Sequence, residues 1–247
     1  LNFKAGGNTI HALRGVDLTL ANGEILAIVG ESGSGKSVTG LSILRLHGKT
    51  ATMAGSINFR GRDLIGLDEE EMRSYRGGKI AMIFQEPMTA LNPVFTVGFQ
   101  LAEVLKLHCN LDRAAAEKRS IELMNKVGIP EPELRLKSFP FQLSGGMRQR
   151  ILIAMALAAA PEILIADEPT TALDVTIQSQ ILRLLRQINE TEKTAMIFIT
   201  HDLGIVAKLA HRVAVMYAGE IVEYGSVAEI FSSAKHPYTQ ALLASVH

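Results

Sequence analysis

Four short runs of uninterrupted apolar residues punctuate the chain: Ile25–Val29, Ile80–Phe84, Ile163–Ala166 and Met196–Ile199. None alternates with polar positions, so each reads as a strand buried on both faces, as in a parallel sheet. Elsewhere the apolar period becomes helical. Ile177, Ile181, Leu184, Leu185 and Ile188 fall at i, i+4, i+7, i+8 and i+11, one face of an amphipathic helix. Strands of the first kind alternating with helices predict an α/β core with a mainly parallel sheet. Val213 to Tyr224 differs: two short runs flank Ala218–Gly219, which predicts an antiparallel hairpin. Residues 94–160 carry only helical signals. The expected organisation is a single domain over residues 1–247 with a helical subdomain, 94–160, inserted into the α/β core, and an antiparallel β part.

The 247 residues suffice to bury a sizeable core. Lys plus Arg and Asp plus Glu each number 25, so the net charge is zero. That argues against nucleic acid as a partner, since such binding rests on a basic surface. Cys109 is the single cysteine, which excludes an internal disulfide and suits a reducing compartment. The longest apolar stretch, Ile151–Ala160, has ten residues and stops at Pro161, too short to span a bilayer. The chain is therefore not expected to enter a membrane. It begins at Leu1, not Met, which implies trimming.

The first candidate chemistry follows the first apolar run. "GESGSGKS", Gly30 to Ser37, fits the phosphate-loop pattern G-x-x-x-x-G-K-[ST] in full, between a strand and the helical run Val38–His47. Gly30, Gly33 and Gly35 let the backbone curl with its N–H groups inward, and the helix start adds its positive dipole end. Gly30, Glu31, Ser32, Gly33, Ser34, Gly35, Lys36, Ser37 and Val38 are thus the candidate phosphate contacts. Lys36 suits the β- and γ-phosphates of ATP, and the Ser37 hydroxyl suits Mg2+. "ILIADE" ends another run in two acids, Asp167 and Glu168. Carboxylates at the carboxyl end of a buried strand are costly unless they serve a cation or a reaction. Asp167 suits Mg2+, and Glu168 suits orienting or deprotonating an attacking water. His201 follows the run Met196–Ile199 by the same logic and is placed to approach a γ-phosphate.

A second phosphate-grade element, "LSGGMRQR" (Leu143 to Arg150), stands about a hundred residues later. Ser144 offers a hydroxyl, and Gly145 and Gly146 expose N–H groups at a helix start. Taken with the phosphate loop, Gln85 after a strand, Gln149, the Asp167–Glu168 strand, "TALD" at Thr171–Asp174 and His201, the chain resembles the nucleotide-binding domain of an ABC transporter over nearly its whole length. The resemblance implies a P-loop NTPase core that binds and hydrolyses ATP with Mg2+. It implies Glu168, His201 and Gln85 as catalytic residues and Ser37, Gln85 and Asp167 as metal ligands. It also assigns Ser144, Gly145, Gly146, Gln149 and Asp174 to nucleotide binding. In the family the signature of one subunit faces the phosphate loop of another, so the two elements of one chain serve two different nucleotides. A second ATPase domain, identical or a heterologous or tandem half, is the implied partner.

"FQEPMTALNP" (Phe84–Pro93), "SVTGLSILRL", "RQRILIAMAL", "ADEPTTALDVTIQ" and the terminal "HPYTQALL" resemble importers of oligopeptides, dipeptides and nickel. That implies integral membrane permease partners, an extracytoplasmic solute-binding protein acting through them, and a peripheral place on the cytoplasmic face of the inner membrane. Gln85 then links the γ-phosphate and Mg2+ to the groove for the permease's coupling helix. Peptide is the expected cargo, with nickel or another small solute as the alternative. There are three departures. The neighbourhood "AGGNTIH" lacks the aromatic that commonly stacks on adenine, leaving Phe3, Ile10 or His11 as substitutes. Phe139-Pro140-Phe141-Gln142 stands where Tyr-Pro-His-Gln is common. The strand usual before Leu1 and a cysteine-bearing segment usual after "HPYTQALL" do not fall within these residues, as expected of the excised first half of a tandem subunit.

Two other classes compete with this reading. A soluble ABC ATPase of DNA repair calls for a long coiled coil before the signature, and a ribosomal one for a charged linker. Only 57 residues separate Gln85 from Leu143, without sustained heptads, and no such linker is present. A P-loop kinase leaves the signature and "TALD" without a role.

Overall fold

The structure, a computed structural model, describes residues 1–5, 8–48, 50–85, 90–171 and 173–245. The strands are β1 (Asn2–Ala5), β2 (Asn8–His11), β3 (Ile25–Val29), β4 (Ala51–Thr52), β5 (Asn58–Phe59), β6 (Arg62–Asp63), β7 (Ile80–Ile83), β8 (Ile163–Asp167), β9 (Ala195–Thr200), β10 (Arg212–Tyr217) and β11 (Glu220–Ser226). The helices are α1 (Lys36–Ile43), α2 (Glu69–Tyr75), α3 (Val97–Cys109), α4 (Arg113–Lys126), α5 (Pro132–Arg135), α6 (Gly145–Ala156), α7 (Val175–Glu192), α8 (Leu203–Leu209), α9 (Val227–Ser233) and α10 (Pro237–Ala244). These residues form two units, Leu1–Arg73 with Ala195–His247, and Ser74–Thr194.

In the first unit β3 pairs in parallel with both β9 and β10, and β10 pairs antiparallel with β11. Every residue of β3 and β9 is buried, which is why both read as unbroken apolar runs. Ala27 and Val29 pack with Val213, Val215, Leu203, Val206 and Ile230 in one apolar cluster. The predicted late hairpin is β10–β11. Its turn places Ala218 at φ 48° and Gly219 at φ 84°, the left-handed pair that a two-residue hairpin turn requires. Helix α1 is shorter than the predicted run Val38–His47 and ends at Ile43. Just beyond it Arg45 adopts φ 51° and donates to the carbonyls of Leu64 (3.2 Å) and Leu67 (2.6 Å), so the backbone turns away. The small antiparallel sheet β2-β1-β4 and the hairpin β5–β6 complete the strands of this unit.

In the second unit β7 runs parallel to β8. From Val97 to Ala156 the elements among the described residues are helices and one 3-10 turn, Pro140–Gln142. Their starts are set by side-chain caps: Thr96 takes the N–H of Phe99 and Asp112 that of Ala115. Helix α7 buries Ile181, Leu184, Leu185 and Ile188, the face read from the sequence, while Ile177 is half-buried at its start. Among the described residues no helix is long and apolar enough to cross a membrane.

Candidate functional site

In the first unit the loop Gly30–Gly35 joins β3 to α1. Its curl is written in the backbone, with Gly33 at φ 80° and Gly35 at φ 105°. A Cβ on Gly30 would stand 2.2 Å from the Met216 carbonyl oxygen, so the loop's first residue must be glycine to lie against β10. Lys36 opens α1 with only 5% of its surface exposed. Its ammonium donates to the Gly30 and Glu31 carbonyls, each at 2.8 Å, strapping the loop from inside. Ser34 Oγ is buried without a hydrogen-bond partner among the described residues. Glu31 and Ser32 are exposed, and Ser37 and Val38 are half-buried on α1. His201 emerges beside this loop. Val29 and Thr200 are register partners on adjacent parallel strands, so the next residues, Gly30 and His201, leave the sheet at the same carboxyl end. Asp202 accepts from Ile205 N–H (3.1 Å) and starts α8, which fixes the turn carrying the exposed His201.

In the second unit the pairing Ile83↔Ala166 does the same for Gln85 and the two acids. Asp167, 5% exposed, closes β8. Glu168 follows in the left-handed region at φ 44°, which a non-glycine residue adopts at a cost and which is typical of functional positions. Its Oε2 accepts from Gln85 Nε2 (3.2 Å) and from Thr171 Oγ1 (2.8 Å), so the carboxylate is held by two neutral donors. Glu86 to Thr89 of the stretch after Gln85, and Ala172 of "TALD", lie outside the described residues.

The second phosphate-grade element is the capped start of α6. Ser144 Oγ accepts from Met147 N–H at 3.3 Å. Asp174 caps α7 by accepting from Ile177 N–H at 2.9 Å. The two helix starts touch: a Cβ on Gly146 would meet Ile177 Cγ2 at 2.7 Å, whereas one on Gly145 would sit 3.6 Å from Leu173, an ordinary contact. Gly146→Ala is therefore expected to destabilise the protein. Overpacking costs about 1–3 kcal/mol, offset by roughly 1 kcal/mol of helix propensity. Gly145→Ala should leave the melting temperature unchanged or raised. Equal melting temperatures for the two variants would remove this account of Gly146. Gln149 points the other way: it is 0% exposed, with both amide heteroatoms buried and unpartnered among the described residues.

Of the three adenine candidates, Phe3 packs edge-on against His47 and His11 bonds Asn2 Oδ1 at 2.7 Å. Ile10 keeps 54% of its surface exposed. Gly6 and Gly7 of that neighbourhood lie outside the described residues. Phe141, ahead of the signature, is 68% exposed and stacks on Phe139 with ring centroids 5.6 Å apart.

A phosphate loop after one buried parallel strand, and an acid pair after another, define a P-loop nucleoside triphosphatase of the α/β class. The sequence profile of the family described as ABC transporter matches residues 13–171. The chain belongs to the ABC transporter family. It is 57% identical to the oligopeptide transport ATP-binding protein OppD of Bacillus subtilis, covering 100% of this chain and 69% of that protein. It is 54% identical to the dipeptide transport ATP-binding protein DppD of Lactococcus lactis, covering 100% of this chain and 71% of that one. The fold matches the ATP-binding cassette MJ0796, solved as a post-hydrolysis dimer bound to ADP and Pi. That match has a TM-score of 0.80 and 30% identity over 92% of this chain and 95% of the other. The expected α/β fold and family are thereby established.

Proposed function

We propose that the chain is the ATP-hydrolysing subunit that powers peptide import through an ABC transporter. The observation that carries this is the unbroken motif order in a chain 57% and 54% identical, end to end, to proteins named for oligopeptide and dipeptide transport. In this reading the subunit sits peripherally at the cytoplasmic face of the inner membrane. It works on integral membrane permeases, which receive cargo from an extracytoplasmic solute-binding protein. The helical segment 94–160 is the signature subdomain.

Residues Gly30 to Val38 bind the ATP phosphates, and Lys36 exchanges its two loop carbonyls for phosphate oxygens. Among the described residues no group of three or more His, Cys, Asp or Glu is placed to hold a metal. The donors assigned to Mg2+ are instead the Ser37 hydroxyl, the Gln85 amide oxygen and the Asp167 carboxylate, all hard oxygens, completed by substrate phosphates as this ion prefers. Held by these oxygens, Mg2+ would supply positive charge to offset that developing on the transferred phosphoryl group. Glu168, steadied by Gln85 and Thr171, takes the proton of the attacking water. His201 donates toward the γ-phosphate. Ser144, Gly145 and Gly146 complete the site of a second ATPase domain, with Asp174 beside them and Gln149 supporting the helix from beneath. Ile10 lies against the adenine. ATP joins the halves head to tail, and loss of the γ-phosphate releases them.

Specific activity is accordingly expected to rise with protein concentration over about a hundredfold range, as mass action requires of a shared site. Ser144→Arg should abolish that activity while ATP affinity stays near wild type, because it blocks the facing site and not its own. A monomer by sedimentation with constant, high specific activity would contradict the shared mechanism. For the cargo, cells lacking the parent gene should lose uptake of labelled di- and oligopeptides. Retained peptide uptake with loss of nickel uptake would reassign the substrate.

A further inference from the structure

"HPYTQALL", His236 to Leu243, serves so far only as a mark of kinship, and no step of the mechanism uses it. The structure gives it a direct contact with the phosphate loop. Glu31 N–H donates to the Tyr238 hydroxyl oxygen at 3.0 Å, across 207 residues of sequence. We propose that Tyr238 is a positioning residue of the phosphate loop, its hydroxyl holding Glu31 so that the loop is shaped for phosphate before nucleotide arrives.

Glu31 is the pivot of the loop. Its carbonyl accepts from the Lys36 ammonium at 2.8 Å and from Ser34 N–H at 3.2 Å. Its N–H is spent on Tyr238 instead of on the loop's own interior. Glu31 is exposed, so without Tyr238 its N–H would turn to water, and the contact instead ties this end of the loop to the protein framework. The far side of the loop is held in the same way: Gly219 N–H, in the β10–β11 turn, donates to Ser34 O at 2.9 Å. The loop is thus strapped from inside by Lys36 and held from outside at Glu31 and Ser34.

Tyr238 can do this because its own place is fixed. The Glu223 carboxylate accepts from the N–H groups of Lys235 (2.7 Å) and His236 (3.1 Å), which pins the entry to α10 to strand β11. His236 Nδ1 accepts from Tyr238 N–H at 3.2 Å, and Pro237 preorganises the first turn. The phenol ring lies 4.6 Å from that of Tyr217, at the end of β10. Tyr238 and Leu242 pack on the apolar cluster that contains Val29, the last strand residue before the loop. Burial raises the Tyr238 pKa above its ordinary value, as expected of a phenol packed on an apolar cluster. Helix α10 is in this way part of the framework of the nucleotide site.

The inference rests on the reading of Gly30–Ser37 as an ATP site, and the test separates the two. Tyr238→Phe removes one oxygen and keeps the ring. The full chain and this variant are titrated with Mg-ATP, assayed for turnover, and followed by amide hydrogen exchange. Loss of one hydrogen bond predicts an ATP Kd and KM raised about two- to tenfold. At saturating ATP, kcat should stay near wild type, and the Glu31 amide should exchange at least about tenfold faster while the β3 amides do not change. Tyr217→Phe, which keeps the neighbouring ring, should leave all of these unaltered. If the parent chain binds ATP and Tyr238→Phe binds it equally well, or if Glu31 exchange is unmoved, Tyr238 has no positioning role. A parent chain that fails to bind ATP would instead sink the assignment of the loop itself.

Discussion

Glu168→Gln is expected to bind ATP within about twofold of the parent and to turn it over about two to four orders of magnitude more slowly, the range that general-base catalysis supplies. The variant keeps the shape and one oxygen, so Thr171 Oγ1, now 2.8 Å from Oε2, retains an acceptor. The left-handed backbone at φ 44° is unaffected, since its cost depends on Cβ and not on the end of the side chain. What disappears is the ability to take a proton from water. Because the γ-phosphate then persists, Glu168→Gln should also accumulate an ATP-bound dimer on gel filtration. Steady-state turnover near the parent's, with Mg-ATP saturating, would remove Glu168 from the chemistry. Turnover lost together with ATP affinity would make it a binding residue instead.

The sequence was most legible where burial is two-sided. Ile25–Val29 forms a strand with the boundaries its apolar run predicts, and Ile163–Ala166 and Met196–Ile199 are each extended by a residue or two at their ends. Ala218–Gly219 is a turn because glycine there permits the backbone the hairpin needs. Strands β4, β5 and β6 were not readable, being two residues long each, too short for a period to show. Helix α2 escaped notice because it buries a single apolar side chain, Met72, in a run of acids. At the site, motif spacing supplied the names of the residues but not their conformations. Nothing local marks Glu168 as left-handed, or Gln149 as fully buried. The bond from Glu31 to Tyr238 lies further still from local signals, because it joins the loop after β3 to the last described helix, 207 residues away.

Lys36→Ala is expected to weaken ATP binding about a hundredfold or more while the chain stays folded. Two effects combine. The phosphates lose a charge-assisted partner, worth about 1.5–3 kcal/mol per hydrogen bond. The loop also loses its inner strap, because the ammonium now ties the Gly30 and Glu31 carbonyls together at 2.8 Å each. Both effects belong to the ammonium, and Lys36→Met tests this by restoring most of the aliphatic stem without the donor. Both variants should lose affinity alike if the ammonium is what matters. Folding should survive, because the neighbouring core of Ala27, Val29, Val213 and Val215 contains no part of Lys36. A cooperative melt with affinity reduced as stated is the expected pair of results. Parent-like affinity in Lys36→Ala by titration calorimetry would contradict the phosphate role, and an unfolded variant would show that the strap serves the fold first. Tyr238→Phe provides the scale for reading the outcome. It loosens the same loop from outside without touching the charge, so its smaller loss estimates how much of the Lys36 effect is shape alone.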